Sequence, residues 1–261
     1  MHSKEEKLEA FSRLLDIMDR LREECPWDRK QTFESLRCNT IEEAYELSEA
    51  LLNNDKGNIC KELGDVLLHI VFYSRIGSET GDFDIVDVCN RLCEKLIYRH
   101  PHVFGTTEVS NAEQVVRNWE DLKLKEKEGN KTVLGGVPSS LPALIKACRI
   151  QEKACSVGFD WEEKSQVWNK VKEEVEEFQT EIDQMDASEM EKEFGDVFFS
   201  LINAARLYDI NPENALELTN KKFITRFNYI EQEAKKQGRQ LRNMTLGEMD
   251  QLWEEAKRVA H

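Results

Sequence analysis

The stretch EEVEEFQTEIDQMDASEMEKEFGD, Glu173 to Asp196, places acids at helical spacing on both sides of a short polar break. Val171, Val175, Phe178 and Ile182 make an apolar stripe at ~100° per residue, with Glu174 and Glu177 along one flank of it and Glu173 on the far side. After the break, Glu193 and Asp196 run into VFFSLI, which is apolar nearly all round and is therefore expected to be central, with its two acids partly desolvated. A short connection makes the two helices antiparallel neighbours. Residues equidistant from the turn then face each other, Glu174 with Asp196 and Glu177 with Glu193, both pairs centred on position 185. Like charges gathered this way destabilise a fold unless something positive sits among them.

The same design occurs earlier in the chain. EEAYE and ELGD place Glu43, Glu46, Glu62 and Asp65 a constant 131 positions before Glu174, Glu177, Glu193 and Asp196, centred on the Asn53–Asp55 turn. KLIYR (Lys95 to Arg99) and WEDLK (Trp119 to Lys123) return as KFITR (Lys222 to Arg226) and WEEAK (Trp253 to Lys257). A helical unit is thus written twice in tandem. The expected division is residues 1–128, a Gly-, Ser- and Pro-bearing linker at 129–142, and 143–261. Helices are expected near 4–24, 33–53, 58–80, 84–99 and 111–128, then 142–155, 162–183, 188–208, 212–236 and 246–259, with few or no strands.

Composition narrows the function. The 261 residues are 40% hydrophobic, enough for a core, and carry a net charge of -15, which repels polyanions and argues against nucleic acid as a ligand, which would need a basic stripe that the chain lacks. The N-terminus has no apolar leader, and no run approaches the ~18 apolar residues of a membrane span, so a cytoplasmic protein without a membrane partner is expected. Seven cysteines without a CxxC pair argue against a disulfide framework or thiolate zinc site and for buried or inert thiols. Three Glu and one Asp, half desolvated, suit a hard divalent cation with oxygen ligands: Mg2+, with Mn2+ as a substitute. The bland alternative is an acidic helix surface, with Glu43 completing a capping box with Thr40. Lys222 and Arg226 share one helix face, as do Trp253 and Lys257, and supply cations for phosphates and an aromatic face for a base.

This ordered set, EEVEE and EFGD in duplicate with RHPHVF (Arg99 to Phe104), VGFDW (Val157 to Trp161) and WEEAK, resembles the MazG family, the tandem all-α nucleoside triphosphate pyrophosphohydrolases of bacteria. That family is similar in fold and metal motif to dimeric dUTPases and phosphoribosyl-ATP pyrophosphohydrolases. The resemblance implies two MazG-like all-α modules with four-helix-bundle-type cores completed by homodimerisation, and Mg2+-dependent hydrolysis of NTPs, ATP included, to NMP and pyrophosphate. It makes Glu174, Glu177, Glu193 and Asp196 the metal ligands, places Lys170, Lys222, Arg226, Trp253 and Lys257 around the nucleotide, and leaves Glu43, Glu46, Glu62 and Asp65 as a second candidate metal site. The candidate for the residue that positions or deprotonates water is Glu173, whose direction away from the core is reconciled if it acts through a subunit interface. Position 170 is Lys where the first copy has Asn39, so the second unit is expected to do most of the catalysis.

Two rivals stand beside this reading. A di-iron bundle needs Glu-x-x-His motifs, whereas this chain has Glu-x-x-Asp, and His69 is expected to be a packed or hydrogen-bonded helix residue. His100 and His102, flanking Pro101 in an expected loop, are read as structural or surface residues. A helical dimer that binds nucleotides or a regulatory protein partner without turnover is separated from an enzyme by pyrophosphate release. Base preference stays open, as does the phosphorus attacked.

Overall fold

Side-chain caps mark the starts of four long helices in the first half of the chain, at Ser3, Thr32, Asp55 and Asp84. In the computed structural model, which describes residues 1–111, 114–115, 118–119, 122–123, 132–184 and 187–259, no described residue is in a strand. The first unit, Met1–Trp119, contains α1 (Lys4–Glu24), α2 (Phe33–Leu52), α3 (Lys56–Thr80), α4 (Ile85–Arg99) and the single turn α5 (Pro101–Phe104). The second, Glu120–His261, contains α6 (Ala143–Ser156), α7 (Lys164–Gln184), α8 (Ala187–Leu207), α9 (Pro212–Lys236) and α10 (Leu246–Val259). Every expected helix lying in the described residues is present with ends within two residues. The one expected at 111–128 falls largely outside them, as does the start of the expected linker. Pro101 begins a helical turn rather than lying in the expected loop, because Pro at the first helical position gives up an N–H that has no partner there anyway.

The α2–α3 hairpin turns at Asn54, whose φ of 52° is left-handed, and Asp55 then caps α3 by accepting from the backbone N–H groups of Gly57 and Asn58. At the far end of α3, a Cβ on Gly77 would lie 2.8 Å from the Phe83 ring, so glycine lets the chain fold back closely before α4. Thr32 caps α2 reciprocally with Ser35. Thr40 therefore lies inside the helix, donating to the Leu36 carbonyl at 3.0 Å, and the capping-box reading of Glu43 does not hold.

In the first unit α1 and α4 pack on α3, and Met18, Leu36, Val71, Phe72 and Ile76 form the core. In the second, α6 packs on α8 beside the α7–α8 hairpin, with Val167, Val171 and Ala204 buried between them. Helices α9 and α10 close a further core around Ile230, Ala234, Met244 and Leu252.

The expectation that VFFSLI is central needs correction. Val197, Ser200 and Ile202 are buried, but Phe198, Phe199 and Leu201 are 48%, 40% and 41% exposed. The neighbouring helices cover one side of α8 and leave Phe194, Phe198 and Leu201 uncovered within the chain. Ile182, at the end of the α7 stripe, is exposed for the same reason. All seven cysteines are free thiols, yet none is buried: Cys38, Cys60, Cys89 and Cys93 are exposed, and Cys25, Cys148 and Cys155 are partly covered.

Candidate functional site

Each hairpin brings three of its four acids together. In the first unit single carboxylate oxygens of Glu43, Glu62 and Asp65 lie within 4.8 Å of one another; in the second the same holds for Glu174, Glu177 and Glu193. The remaining members, Glu46 and Asp196, sit at the edges. Glu46 comes within 4.0 Å of Lys61, and Asp196, exposed rather than partly desolvated, lines a cavity together with Glu174. Glu62 and Glu174 are only 5% and 7% exposed, so Glu174 is deeper than its place on the flank of the stripe implied.

The electrostatics of both clusters are unfavourable to bare acids. Burial, and then the charges of Asp65, Glu46 and Glu62, hold the Glu43 carboxyl above the usual range. Burial followed by Glu174, and more weakly by Glu173 and Glu193, does the same to Glu177. Glu62 Oε2 is buried with no hydrogen-bond partner among the described residues, a position in which an uncompensated acceptor is costly. Acceptors gathered this closely, one of them without a donor, fit a hard cation with oxygen ligands.

Lysines partly meet this need, and differently in the two copies. Lys61 Nζ lies 2.8 Å from Glu62 Oε1 and 3.8 Å from Asp65 Oδ2, whereas Lys192, its counterpart 131 positions on, pairs with Glu189 at 2.5 Å. In the second unit the cation on the acids is Lys170, 2.8 Å from both Glu173 and Glu174. Those two bonds push the Lys170 ammonium pKa upward. Glu173 is exposed, pointing off the core as its position on the helix indicated, and is tethered to Lys170.

The other sequence-derived residues form a separate group on α9 and α10. The Arg226 guanidinium lies over the Trp253 ring at 5.6 Å, and Phe223 packs on the same indole at 5.1 Å. Lys222 is exposed and Lys257 pairs with Glu254. The first unit repeats the motif, with Arg99 over Trp119 at 6.0 Å. None of Lys222, Arg226, Trp253 and Lys257 lines the cavity beside Glu174 and Asp196.

That cavity, of about 710 Å³, was not legible in the residue spacing. Its wall includes Gln151, Trp161 and Asn203, besides Lys170, Glu174 and Asp196. Arg206 closes one side by donating to Asp160 Oδ2 at 3.0 Å, with a second guanidinium contact to Oδ1, which lowers the Asp160 pKa to about 2. His69 is a packed helix residue, as expected: it is buried, its Nδ1 lies 3.0 Å from Thr40 Oγ1, and burial lowers its pKa. His100 Nδ1 lies 2.6 Å from the Leu96 carbonyl oxygen, and its ring centroid lies 5.6 Å from that of His102.

The MazG nucleotide pyrophosphohydrolase domain matches this chain twice, over residues 31–104 and 162–230. The chain belongs to the MazG family. It is 44% identical over 250 residues to the nucleoside triphosphate pyrophosphohydrolase/pyrophosphatase MazG of Thermotoga maritima, covering 95% of each chain. It is 38% identical over 258 residues to the nucleoside triphosphate pyrophosphohydrolase of Escherichia coli, covering 96% of this chain and 98% of that one. Each MazG match contains one acid cluster, and the second also contains Lys170, Lys222 and Arg226. Gln151, Trp161, Trp253 and Lys257 lie outside both matches. No helix among the described residues is long and apolar enough to cross a membrane.

Proposed function

We propose that this chain hydrolyses nucleoside triphosphates, ribo and deoxy, to the monophosphate and pyrophosphate in a Mg2+-dependent reaction. One observation carries the reading: the oxygens of Glu174, Glu177 and Glu193, within 4.8 Å of one another, stand beside a cavity large enough for a nucleoside. The names of the family's relatives support the same activity.

Glu174, Glu177 and Glu193, with Asp196 at the cavity wall, would hold the cation. When bound it neutralises triphosphate charge and polarises phosphoryl oxygens, and Mn2+ would serve in its place. Lys170 already bridges Glu173 and Glu174, so its ammonium is held where an incoming phosphate competes for it. Glu173, exposed beside Lys170, is the residue we assign to orienting and deprotonating water. Lys222, Arg226 and Lys257 serve the leaving pyrophosphate, with Trp253 beneath Arg226. Support for Arg226 comes from its Nε, which is buried and lacks an acceptor among the described residues.

Since that group does not line the cavity, it serves best from a second copy of the chain, in a homodimer. The uncovered α8 face of Phe194, Phe198 and Leu201 supports such an interface, because apolar side chains of this size favour burial. We place the main activity in the second unit and treat the Glu43, Glu46, Glu62 and Asp65 cluster as a second cation site. The test is product identity: purified protein with ATP and dGTP, with and without Mg2+, should release pyrophosphate and no orthophosphate. Nucleotide binding without product would establish the binding-only rival.

A further inference from the structure

The two copies differ at two positions on the helix that carries the second acid pair. Positions 200 and 203 on α8 are Ser and Asn, while their counterparts 131 residues earlier on α3 are His69 and Phe72. Phe72 is 3% exposed in a core with Met18, Leu36 and Val71, and His69 is buried on Thr40. Both bulky side chains are thus packed into the interior of the first unit. In the second unit Ser200 and Asn203 line the cavity instead.

The polar groups of this cavity have fixed polarity. Gln151 is 6% exposed, and its Nε2 donates to the Phe199 carbonyl at 2.7 Å. That bond settles the amide orientation, so Oε1 is an acceptor, and it is buried without a partner among the described residues. Asn203 Oδ1 accepts from Arg206 Nε at 3.1 Å and Nη2 at 2.9 Å, which leaves its amide nitrogen as the donor. Ser200 Oγ is committed to the Val197 carbonyl at 2.9 Å. At the rim stands Trp161, 39% exposed, with its backbone N–H held by Asp160 Oδ1 at 2.9 Å. Trp253, by contrast, is already packed by Phe223 and Arg226.

We propose that this cavity is the nucleobase site of the second unit, with Gln151 Oε1 and the Asn203 amide as an acceptor and donor for the base edge and Trp161 as the stacking face. The inference rests on the nucleotide reading above and goes beyond it in naming the residues that meet the base and the edge chemistry they demand: an N–H donor set beside an acceptor. An apolar cavity containing one uncompensated acceptor rejects a ligand that lacks the matching donor, because the acceptor then stays unpaired. The first unit, filled by His69 and Phe72, takes no base.

Calorimetric titration of the full chain with AMP, GMP, CMP and UMP tests this, alongside purine riboside and 2-pyrimidinone riboside monophosphates, which lack the exocyclic amine. At least one of the four monophosphates should bind the wild type. Asn203→Phe, which installs the first unit's residue, should weaken that binding tenfold or more. Gln151→Leu should weaken it by a similar factor while changing the matching donor-free analogue by less than twofold. The proposal is overturned if none of the four binds, or if a folded Asn203→Phe or Gln151→Leu chain keeps wild-type affinities. Pyrophosphate release by the wild type is scored separately. Turnover that survives in Asn203→Phe sinks the pocket alone, and binding without any turnover sinks the hydrolase reading alone.

Discussion

Lys170 Nζ lies 2.8 Å from Glu174 Oε1, one turn away on α7, where the first copy sets Asn39 a turn before Glu43. The ammonium stands in for part of the positive charge that the acids demand, and a divalent cation has to compete with it. Lys170→Asn should therefore tighten Mn2+ binding severalfold, since one charge–charge contact near a surface is worth about 1 kcal/mol or less. The same substitution should lower kcat/KM for NTPs at least tenfold by removing the proposed phosphate contact. Metal titration and steady-state kinetics on one preparation check both signs; weaker metal binding would show that Lys170 only braces the helix.

Glu177 is destabilised as an anion in the metal-free chain, by burial first and by Glu174 next. An acid whose folded pKa is raised detracts from stability above that pKa, and the loss is relieved when the charge is removed. Glu177→Gln should raise the melting temperature of the metal-free protein. It should also diminish the further rise expected on adding Mg2+ to the wild type, because one of the proposed ligands is gone. Differential scanning calorimetry with and without Mg2+ reads both changes.

Asp160 behaves in the opposite sense. Hydrogen bonds from Arg206 lower its pKa from 3.8 to about 2, so it stabilises the fold above the unfolded value and that contribution is lost as pH falls from about 4 to 2. The shift corresponds to roughly 2 kcal/mol at neutral pH. Asp160→Asn should cost stability of that order at pH 7, and the gap from wild type should narrow below pH 4. Denaturant unfolding across this range supplies the measurement. A gap independent of pH would mean that Asp160 acts by packing alone.

Helix positions were legible because apolar period and polar turns agree at every hairpin, and one opposed acid pair per hairpin, Glu43 with Asp65 and Glu177 with Glu193, because a duplication at constant offset leaves the registers visible; the partners expected for Glu62 and Glu174, Glu46 and Asp196, lie outside the clusters. What escaped is instructive. The α8 sequence reads as central, yet burial depends on which neighbours cover it, and one chain covers only the Val197 and Ser200 side. Lys61 and Lys170 sit on the acids because they lie within one turn of them, a proximity that the spacing of the four acids alone does not carry. The cavity is a matter of small residues where the other copy has large ones. Setting Ser200 against His69 and Asn203 against Phe72 was the available signal.

The most direct test compares Glu193→Gln with Glu62→Gln in a quantitative assay of pyrophosphate from NTPs with Mg2+. These residues occupy equivalent places in the two acid clusters, and each change removes one negative charge while keeping the side-chain shape. We expect Glu193→Gln to reduce turnover a hundredfold or more and Glu62→Gln to leave most of it. Equal losses, or a larger loss for Glu62→Gln, would contradict the assignment of catalysis to the second cluster.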